Sequence, residues 1–377
     1  MDETRVLHVF GRMQPGGAEK RTLEIMHHLR PDGFICDVLA LSGLPGSLDG
    51  EVEALGGTVH LLPRRRGWRG RLRALLHERR YQVVHSHVHF FSGVLLQEAA
   101  AAGVPVRIAH IRGIDDGKGE GLWRRLYRWW MRRLIDRYAT RILAVSRAAL
   151  TCARLPTDDA RATVLYNGLD LGLFTCAIDR AAVRARIGLP AQARVVMNVA
   201  NFTPPKNHLF MLRVFAAFAR DHVEAHLVFI GRGGTPQEQE ALAFIAQSGL
   251  ASRIHVLGSR DDVPELLRVA DVFLFASRYE GLPGALLEAC AAGLPCLASA
   301  IEPCREVAER LPQVVCLGLE RPLEEWTAGL AHCVTIGRDD DGERCRQRLA
   351  LAGFDVTQAA AAIRLLWRPA RAGVPSP

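Results

Sequence analysis

Short apolar runs alternate with longer segments in which apolar residues recur every three or four positions along the first half of the chain. The short runs predict β-strands and the longer segments predict α-helices. The predicted strands are residues 5–10, 33–41, 58–62, 82–86, 106–111 and 141–145. The predicted helices are residues 16–29, 92–102 and 123–139. This alternation is typical of a parallel sheet with helices on both faces, so we expect an α/β domain.

The same alternation begins again near residue 194. The predicted strands are residues 194–200, 226–230, 254–257, 272–276 and 295–298. The predicted helices are residues 208–221, 235–249, 262–270 and 284–292. We therefore expect one Rossmann-like domain at residues 1–178 and a second at residues 179–352. Two such domains in tandem are expected to face a central cleft and to bind a ligand there, at the carboxyl ends of the strands.

Composition excludes several classes of protein. The 377 residues are 49% hydrophobic and 23% charged, which is too apolar for an intrinsically disordered chain. The nine cysteines include no Cys-x-x-Cys pair, so we expect reduced thiols in the cytoplasm. The acidic start predicts no signal peptide, and no stretch approaches the ~18 apolar residues of a transmembrane helix.

The excess of positive charge is confined to the first half of the chain. Residues 1–178 contain 26 of the 48 lysine and arginine residues and 18 of the 40 acidic residues, which accounts for the whole net charge of +8. Much of this charge lies in two basic stretches, residues 64–80 and 121–138. Basic surfaces attract phosphate groups, whether on a membrane, a nucleic acid or a substrate.

Residues 121–138 predict an amphipathic helix with an aromatic face and an arginine face. The aromatic and apolar face contains Trp123, Tyr127, Trp130, Met131, Leu134 and Tyr138. The opposite face contains Arg124, Arg125, Arg128 and Arg132. This division is typical of a helix that lies on an anionic membrane, so we expect a peripheral contact with the cytoplasmic face. The alternative is a helix packed on its own domain with solvated arginines. No nucleic-acid-binding module is recognisable, so no nucleic acid partner is expected.

Two glutamates mark a candidate binding motif in the second half. Glu280 and Glu288 are separated by seven residues in SRYEGLPGALLEA, which follows the apolar strand FLFAS. The sequence Gly-Leu-Pro-Gly predicts a turn into a helix, and backbone amides at a helix start bind phosphate. Glu288 lies about one turn inside that helix, where its carboxylate can accept hydrogen bonds from ribose hydroxyls. Glu280 can do the same for a sugar. Two glutamates at this spacing are common on surfaces, so the surrounding sequence carries the hypothesis.

The motif resembles the E-x7-E region of retaining glycosyltransferases of family 4, which have the GT-B fold. The resemblance extends over most of the chain, and its segments occur in the family's order. They are QPGGAEKRTLE, VVHSHVHF, AVSRAAL, YNGLDLGLF, VANFTPPKNHLFML, VFIGRGG and HVLGSRDDVPELLRVADVFLFASRYEG. The resemblance implies a GT-B enzyme with a nucleotide-diphosphate sugar donor, a UDP- or GDP-sugar, and no metal or other cofactor. It also implies an acceptor-binding first domain, a donor-binding second domain and a final helix, residues 353–370, that returns to the first domain.

The resemblance assigns roles to the Glu motif and to a glycine loop. Glu280 corresponds to a residue near the donor sugar and Glu288 to one near the ribose. The backbone of Gly281, Leu282, Pro283 and Gly284 corresponds to the phosphate-contacting turn. Gly231, with Gly233, corresponds to a loop near the base or diphosphate, although a Gly-x-Gly pair alone is also common in simple turns.

Lys206 corresponds to a lysine that neutralises the leaving diphosphate. The arginine that usually precedes it by five residues is Asn201 here, so one fixed positive charge is missing. The residues that could replace this charge in the donor site are Arg232, Arg260 and His208.

In the first half, the resemblance points to the glycine loop and to a histidine. Gly16 and Gly17 correspond to a loop that approaches the donor, although a plain turn would also use glycine there. His110 ends a predicted strand where the family places a histidine near the donor sugar and acceptor. His85, His87 and His89 would share one face of a strand. Zinc is an alternative for them, but one strand seldom supplies the geometry.

These expectations define a hexosyltransferase with His110, Lys206 and Glu280 as candidate catalytic residues. The acceptor is expected to be a lipid-linked or cell-surface glycan. Two alternatives use the same fold. A nucleotide-sugar epimerase would turn over its donor without an acceptor, and a non-catalytic partner protein would be consistent with the missing arginine at position 201.

Overall fold

The computed structural model describes residues 3–113, 121–154 and 159–368. They form two compact units. The first comprises Met1–Gly168 together with Val356–Pro377, and the second comprises Leu169–Asp355. The boundaries expected from the sequence lie after residues 178 and 352, and the assignment of acceptor and donor binding to the two domains stays a prediction. The chain enters and leaves the second unit side by side, because Leu169 forms a parallel bridge with Asp355 and its amide donates to the Phe354 carbonyl over 2.8 Å.

The first unit is built on a seven-stranded parallel sheet with the order β3-β2-β1-β4-β5-β6-β7. Its strands are β1 (Thr4–Phe10), β2 (Phe34–Ala40), β3 (Val59–Leu61), β4 (Val83–Ser86), β5 (Val106–Ile111), β6 (Arg141–Ala144) and β7 (Ala162–Val164). Its first six helices are α1 (Gly17–Leu29), α2 (Asp49–Ala54), α3 (Trp68–Glu78), α4 (Ser92–Ala101), α5 (Leu122–Tyr138) and α6 (Arg147–Cys152). The strand order reverses between β1 and β4, which in open α/β sheets is where ligands bind.

The second unit repeats this plan with a six-stranded parallel sheet of order β10-β9-β8-β11-β12-β13. Its strands are β8 (Arg194–Val199), β9 (Ala225–Ile230), β10 (Ile254–Val256), β11 (Val272–Phe275), β12 (Cys296–Ser299) and β13 (Val314–Leu317). Its helices are α7 (Arg180–Arg186), α8 (His208–Asp221), α9 (Pro236–Gln247), α10 (Val263–Leu267), α11 (Gly284–Ala291), α12 (Glu302–Ala308), α13 (Leu323–Ile336) and α14 (Gly342–Leu351). Here the order reverses between β8 and β11, so the loops after these strands are adjacent.

The last helix, α15 (Val356–Leu366), completes the core of the first unit. Two residues of α15, Val356 and Ile363, are buried, and so is Trp367, which directly follows the helix. They pack in one cluster with Phe34 and with the buried residues of α1. Arg364 adds a contact with the Asp32 carboxylate at 3.2 Å. The apolar face of this helix therefore completes the core of a sheet whose last strand, β7, ends much earlier in the chain, at Val164.

The expectation that three alternating histidines share one strand is wrong. Strand β4 ends at Ser86, and His89 instead begins a short 3-10 turn, His89–Phe91. Its φ of +49° lies in the left-handed region, which no β-strand residue adopts. His85 and His87 remain together, whereas the His89 ring approaches the Gly113 carbonyl at 3.1 Å.

Helix α5 also differs from the expected division into one aromatic and one arginine face. Met131, Leu134 and Ile135 are buried, but Trp123 is 82% exposed and Trp130 is 54% exposed. The aromatic residues therefore divide between a packed side and an outward side. Three of the four arginines expected in solvent, Arg124, Arg128 and Arg132, are half-buried. A helical projection gives the angle between side chains but not the direction of the core.

Candidate active site

The candidate donor site lies where the strand order of the second unit reverses. Lys206 follows β8 and Glu280 follows β11, and the Lys206 ammonium lies 2.5 Å from the Glu280 carboxylate. Both side chains are largely shielded from solvent, and the ammonium also lies 5.9 Å from the centre of the Phe275 ring. The fold thus brings two of the predicted residues, 74 positions apart, into direct contact.

A tight turn holds Lys206 in this position. Pro204–Lys206 forms a 3-10 turn, and Asn207 closes it in the left-handed conformation with a φ of +57°. The Asn207 side-chain amide donates to the Ala276 carbonyl over 3.2 Å, and the Arg278 amide donates to the Pro205 carbonyl over 2.8 Å. Asparagine suits this position because it tolerates the left-handed region and its side chain can bind a neighbouring backbone. These bonds join the loop after β8 to the loop after β11.

Asn201 has a structural function at the position where the family carries an arginine. Its side-chain oxygen accepts a hydrogen bond from the Arg232 backbone amide at 2.9 Å. The preceding Gly231 has a φ of +153°, and a Cβ there would lie 2.0 Å from the Ala200 carbonyl oxygen. A side chain at 231 is therefore excluded by backbone, and glycine is required. Asn201 fixes the glycine loop, residues 231–234, against the end of β8.

The second end of the glycine loop is held as well. The Thr235 hydroxyl donates to the Phe202 carbonyl over 2.7 Å and accepts from the Glu238 amide, which caps α9. The Glu238 carboxylate in turn accepts from the Gly234 amide over 2.6 Å. Both ends of this loop are thus bonded to the segment that leads to Lys206.

The three residues considered as replacements for the missing arginine differ in their surroundings. The Arg260 guanidinium is already paired with Asp262 through two bonds of 2.8 and 2.7 Å. Burial lowers the pKa of His208 to about 4, so its ring is neutral at pH 7. Arg232 is exposed at the tip of the glycine loop and makes no ion pair with a described residue. Arg232 is therefore the one of the three whose charge remains available.

The Gly-Leu-Pro-Gly turn leads into α11 as the sequence predicts. Pro283 precedes the first helical residue, Gly284, and accepts hydrogen bonds from the Leu286 and Leu287 amides at 3.1 and 3.2 Å. Glu288 is half-buried in the second turn of α11. The first amides of a helix have no acceptor within it, and their dipoles favour an anion. A phosphate-binding function of residues 281–284 is consistent with this geometry and stays a prediction.

A pocket of about 340 Å³ adjoins these loops. Thr203, Asn207 and Arg278 line it, whereas Lys206, Glu280 and Glu288 do not. The pocket therefore borders the candidate donor site without containing its charged pair.

The glycine loop of the first unit shows no backbone requirement for glycine. Gly16 precedes α1 in an extended conformation, and Gly17 opens the helix with no atom within 4 Å of where its Cβ would lie. A Cβ at Gly16 would meet only the flexible end of the Glu19 side chain, at 2.5 Å. The function assigned to this loop stays a prediction.

Four buried histidines meet at the reversal point of the first unit. His8 and His85 are register partners on β1 and β4, His87 follows β4, and His110 lies on β5. The His85 and His110 rings bond through Nε2 and Nδ1 at 3.0 Å, and the His8 and His87 rings bond through Nδ1 and Nε2 at 3.0 Å. The sequence indicates His85, His87 and His110, but His8 becomes visible only through strand register.

A buried arginine supports this cluster. The Arg112 guanidinium donates to His87 Nδ1 at 3.2 Å, to the Asn167 side chain at 2.7 Å and to the Thr22 hydroxyl at 3.1 Å. Burial lowers its pKa to about 10, and Glu19 opposes that shift. Burial, together with the Arg112 charge, lowers the pKa of His8 to about 3. Neither His8 nor Arg112 belongs to a pattern that the sequence analysis singled out.

Comparison with known proteins identifies the fold and the family. The Glycosyltransferase Family 4 profile matches residues 15–173, and the Glycosyl transferases group 1 profile matches residues 179–312. The chain is 31% identical to EpsF of Bacillus subtilis over 96% of this chain and 95% of that protein. The chain belongs to glycosyltransferase family 4. It is also 30% identical to the capsular polysaccharide biosynthesis glycosyltransferase CapH of Staphylococcus aureus, over 76% of this chain and 78% of CapH.

Solved structures confirm the predicted fold class. Anabaena HepE in complex with UDP and glucose matches with a TM-score of 0.80 and 20% identity, over 96% of this chain and 99% of HepE. WaaG, a glycosyltransferase involved in lipopolysaccharide biosynthesis, matches with a TM-score of 0.70 and 17% identity, over 95% of this chain and 99% of WaaG. This family 4 glycosyltransferase therefore has the GT-B fold. The predicted site residues are placed by the structure, but their functions stay predictions.

The bond from Asn201 to the glycine loop of this glycosyltransferase can be tested directly. Asn201→Ala removes the acceptor for the Arg232 amide, which should cost about 1 kcal/mol. We expect the Arg232 amide to exchange its hydrogen about fivefold faster, measured by hydrogen–deuterium exchange. Gln239→Ala, at an exposed position of α9, is the control and should leave the rate unchanged. An unaltered rate in Asn201→Ala would show that other bonds fix the loop.

Proposed function

We propose that this family 4 enzyme is a retaining hexosyltransferase that moves a sugar from a UDP- or GDP-sugar to a lipid-linked or cell-surface glycan acceptor. The contact between Lys206 and Glu280, beside the start of α11, carries the proposal. A cation and a row of helix-start amides complement a diphosphate. A carboxylate complements the hydroxyl groups of a sugar.

The printed descriptions of similar proteins support these classes of donor and acceptor. HepE was solved with UDP and glucose. CapH is named for capsular polysaccharide biosynthesis. An Escherichia coli relative, 30% identical over 60% of this chain, is named as a galactosyltransferase that acts between UDP-Gal and α-D-GlcNAc-diphosphoundecaprenol. We assign donor binding to the second unit and acceptor binding to the first.

Lys206 and Glu280 would exchange partners when the donor binds. In this structure each neutralises the other. A diphosphate competes with Glu280 for the ammonium, since it offers more negative charge to the same cation. Lys206 can then stabilise the charge that develops on the leaving diphosphate, while Glu280 becomes available to accept hydrogen bonds from the sugar. Glu288, one turn into α11, would accept a hydrogen bond from the ribose.

The transfer itself then needs positioning more than acid–base catalysis. The bond from the anomeric carbon to the diphosphate oxygen breaks, and a bond from that carbon to the acceptor oxygen forms on the same face. The acceptor proton passes to the leaving phosphate oxygen. The acidic pair thus serves binding, and the positive charge of Lys206 and of the helix start supports the departure of the diphosphate.

Transfer requires both substrates, which separates this proposal from its alternatives. We expect the protein to consume UDP- or GDP-sugar only when a polyprenyl-diphosphate-linked sugar or a glycan is present, and to do so in the presence of EDTA. Chromatography with mass detection measures both products. Conversion of the donor alone would instead indicate an epimerase. Tight binding of the donor by calorimetry without any transfer would indicate a non-catalytic protein.

The exchange of partners predicts opposite effects for the two members of the pair. Lys206→Ala should lower turnover by about 10²-fold or more, because the leaving diphosphate loses its cation. Glu280→Gln should also lower turnover but should bind free UDP or GDP more tightly, because Lys206 no longer has a competing carboxylate. Steady-state kinetics and calorimetry measure the two effects. Arg220→Ala, an exposed cation of the same unit, is the control, and weaker nucleotide binding by Glu280→Gln would contradict the exchange.

We also propose that α5 contacts an anionic membrane through its outward apolar side. None of the described helices is long and apolar enough to cross a bilayer. On α5, an exposed stripe contains Leu122, Trp123, Leu126, Trp129 and Trp130. Arg133 and Arg137 lie along the same stripe and are exposed, and the Arg133 guanidinium lies 5.1 Å from the centre of the Trp129 ring. Exposed tryptophans beside arginines suit the level of lipid headgroups.

The packed side of α5 explains why this stripe stays exposed. Met131 and Leu134 pack with Phe90 and Val94 in a separate small core. Gly93 on α4 permits the approach, since a Cβ there would lie 2.6 Å from the Met131 carbonyl oxygen. The opposite side of the helix is therefore directed outwards.

Two variants of α5 should separate the apolar and electrostatic parts of membrane binding. Trp123→Ser with Trp130→Ser should remove the vesicle binding that persists at high salt. Arg133→Gln with Arg137→Gln should reduce vesicle binding mainly at low salt. Co-sedimentation with anionic and neutral vesicles across a salt series measures both.

A control pair in the second unit matches the change in charge. Arg213→Gln with Arg220→Gln alters two exposed arginines of α8 and should leave vesicle binding unchanged. Equal loss in this pair and in the α5 arginine pair would contradict a membrane contact through α5.

A further inference from the structure

Two N–H groups that can only donate enter the histidine cluster of the first unit from outside it. The Trp367 indole N–H lies 3.2 Å from His85 Nδ1, and the Arg112 guanidinium Nε lies 3.2 Å from His87 Nδ1. Neither an indole nor a guanidinium N–H can accept a hydrogen bond. The Nδ1 atoms of His85 and His87 must therefore carry lone pairs, and the remaining ring proton of each lies on Nε2.

The same assignment continues to the next ring of each pair. Burial lowers the pKa of His85, His87 and His110 well below the usual value, so each ring carries a single proton. The His85 Nε2–H then donates to His110 Nδ1 at 3.0 Å. The single proton of His110 is left on Nε2. By the same steps, His87 donates to His8 Nδ1 and leaves the His8 proton on Nε2.

The Nε2 atom of His110 is the last atom in this series of hydrogen bonds. It is buried and has no hydrogen-bond partner among the described residues. His110 lines a cavity of about 10 Å³, which has room for one water-sized oxygen atom, together with Arg112, Tyr166 and Asn167. A buried N–H without a partner is costly, and a ligand oxygen in this cavity would satisfy it.

We propose that Trp367 is a positioning residue that, through His85, sets the tautomer of His110, so that His110 presents an N–H donor to a carbohydrate oxygen in this cavity. The carbohydrate part of this inference rests on the proposed function, whereas the tautomer does not. His110 would then orient an oxygen by donation and would not accept its proton. Trp367 is completely buried and lies 282 positions from His85 in sequence.

A metal ion is the competing explanation for clustered histidines. Nitrogen atoms of His8, His85 and His87 lie within 4.8 Å of one another, which would suit a metal centre. The buried positive charge of Arg112, in contact with His87, opposes a cation there. The Nδ1 atoms of His85, His87 and His8 are also already engaged, by the Trp367 indole, the Arg112 guanidinium and the His87 ring respectively.

Nuclear magnetic resonance of the full chain with 15N-labelled histidine tests the inference. In the wild type we expect His110 and His85 as Nε2–H tautomers and a coupling across the hydrogen bond between His85 Nε2 and His110 Nδ1. This measurement needs no variant. Nδ1–H on His110, or a shift of the cluster resonances on adding one equivalent of Zn²⁺, would overturn the proposal.

The variant Trp367→Phe keeps an aromatic ring but removes the donor. We expect His110 to gain the Nδ1–H tautomer in this variant and kcat/KM to fall about tenfold, while KM for the donor changes little. The melting temperature should fall, because the smaller ring leaves a cavity in the core. Phe34→Leu is the control. The Phe34 and Trp367 ring centres lie 5.3 Å apart, but a phenylalanine side chain donates no hydrogen bond to the histidines. The control should lower the melting temperature and leave the tautomer as in the wild type.

Several results separate the tautomer from the function. A wild-type tautomer in Trp367→Phe would overturn the positioning role, and so would the same tautomer change in Phe34→Leu. Absence of any sugar transfer by the wild type, with the tautomers as expected, would overturn the proposed function and leave the assignment of Trp367 intact.

Discussion

The contact between Lys206 and Glu280 is the constraint on which the second unit's site depends. The two opposite charges follow strands β8 and β11, which are neighbours because the sheet reverses its order there. They meet at a partly buried position. Holding them together requires a rigid turn, and this explains a left-handed Asn207 whose amide is bonded to the adjoining loop. The pair keeps a cation in place without leaving it unbalanced when no anion is bound. A lysine held without such a partner would repel neighbouring cations and would lower the stability of the unit.

Local chemistry explains what could be predicted from the sequence and what could not. The strands were predictable because both faces of a parallel sheet are covered, so its strands appear as short apolar runs. The turn before α11 was predictable because its conformation depends only on four consecutive residues, Gly-Leu-Pro-Gly. The contact between Trp367 and His85 leaves no local pattern, since strand order and the return of α15 create it. Strand β7, Ala-Thr-Val, is three residues long and has no buried residue, so it leaves no apolar run that would indicate a strand.

Asn201 illustrates why a departure from a family's motif need not mean a lost site. The side chain that replaces the arginine is bonded to the backbone of the glycine loop, and this loop carries Arg232. An arginine at position 201 has no acceptor oxygen, so it could not accept the hydrogen bond from the Arg232 amide. In this protein a neutral residue, Asn201, holds the glycine loop, and the loop itself carries an arginine, Arg232.

The bridge between Leu169 and Asp355 has a consequence for the order in which the protein is made. All residues of the second unit leave the ribosome before α15 does, and both ends of that unit are already adjacent once it has folded. The first unit, although its sheet is synthesised first, lacks α15 and Trp367 until the whole second unit has been synthesised. Its apolar surface beside α1 remains uncovered throughout that time. The usual order of folding during synthesis, amino-terminal domain first, is therefore reversed for the final packing of this chain, and the nascent first unit is the part that needs protection from aggregation.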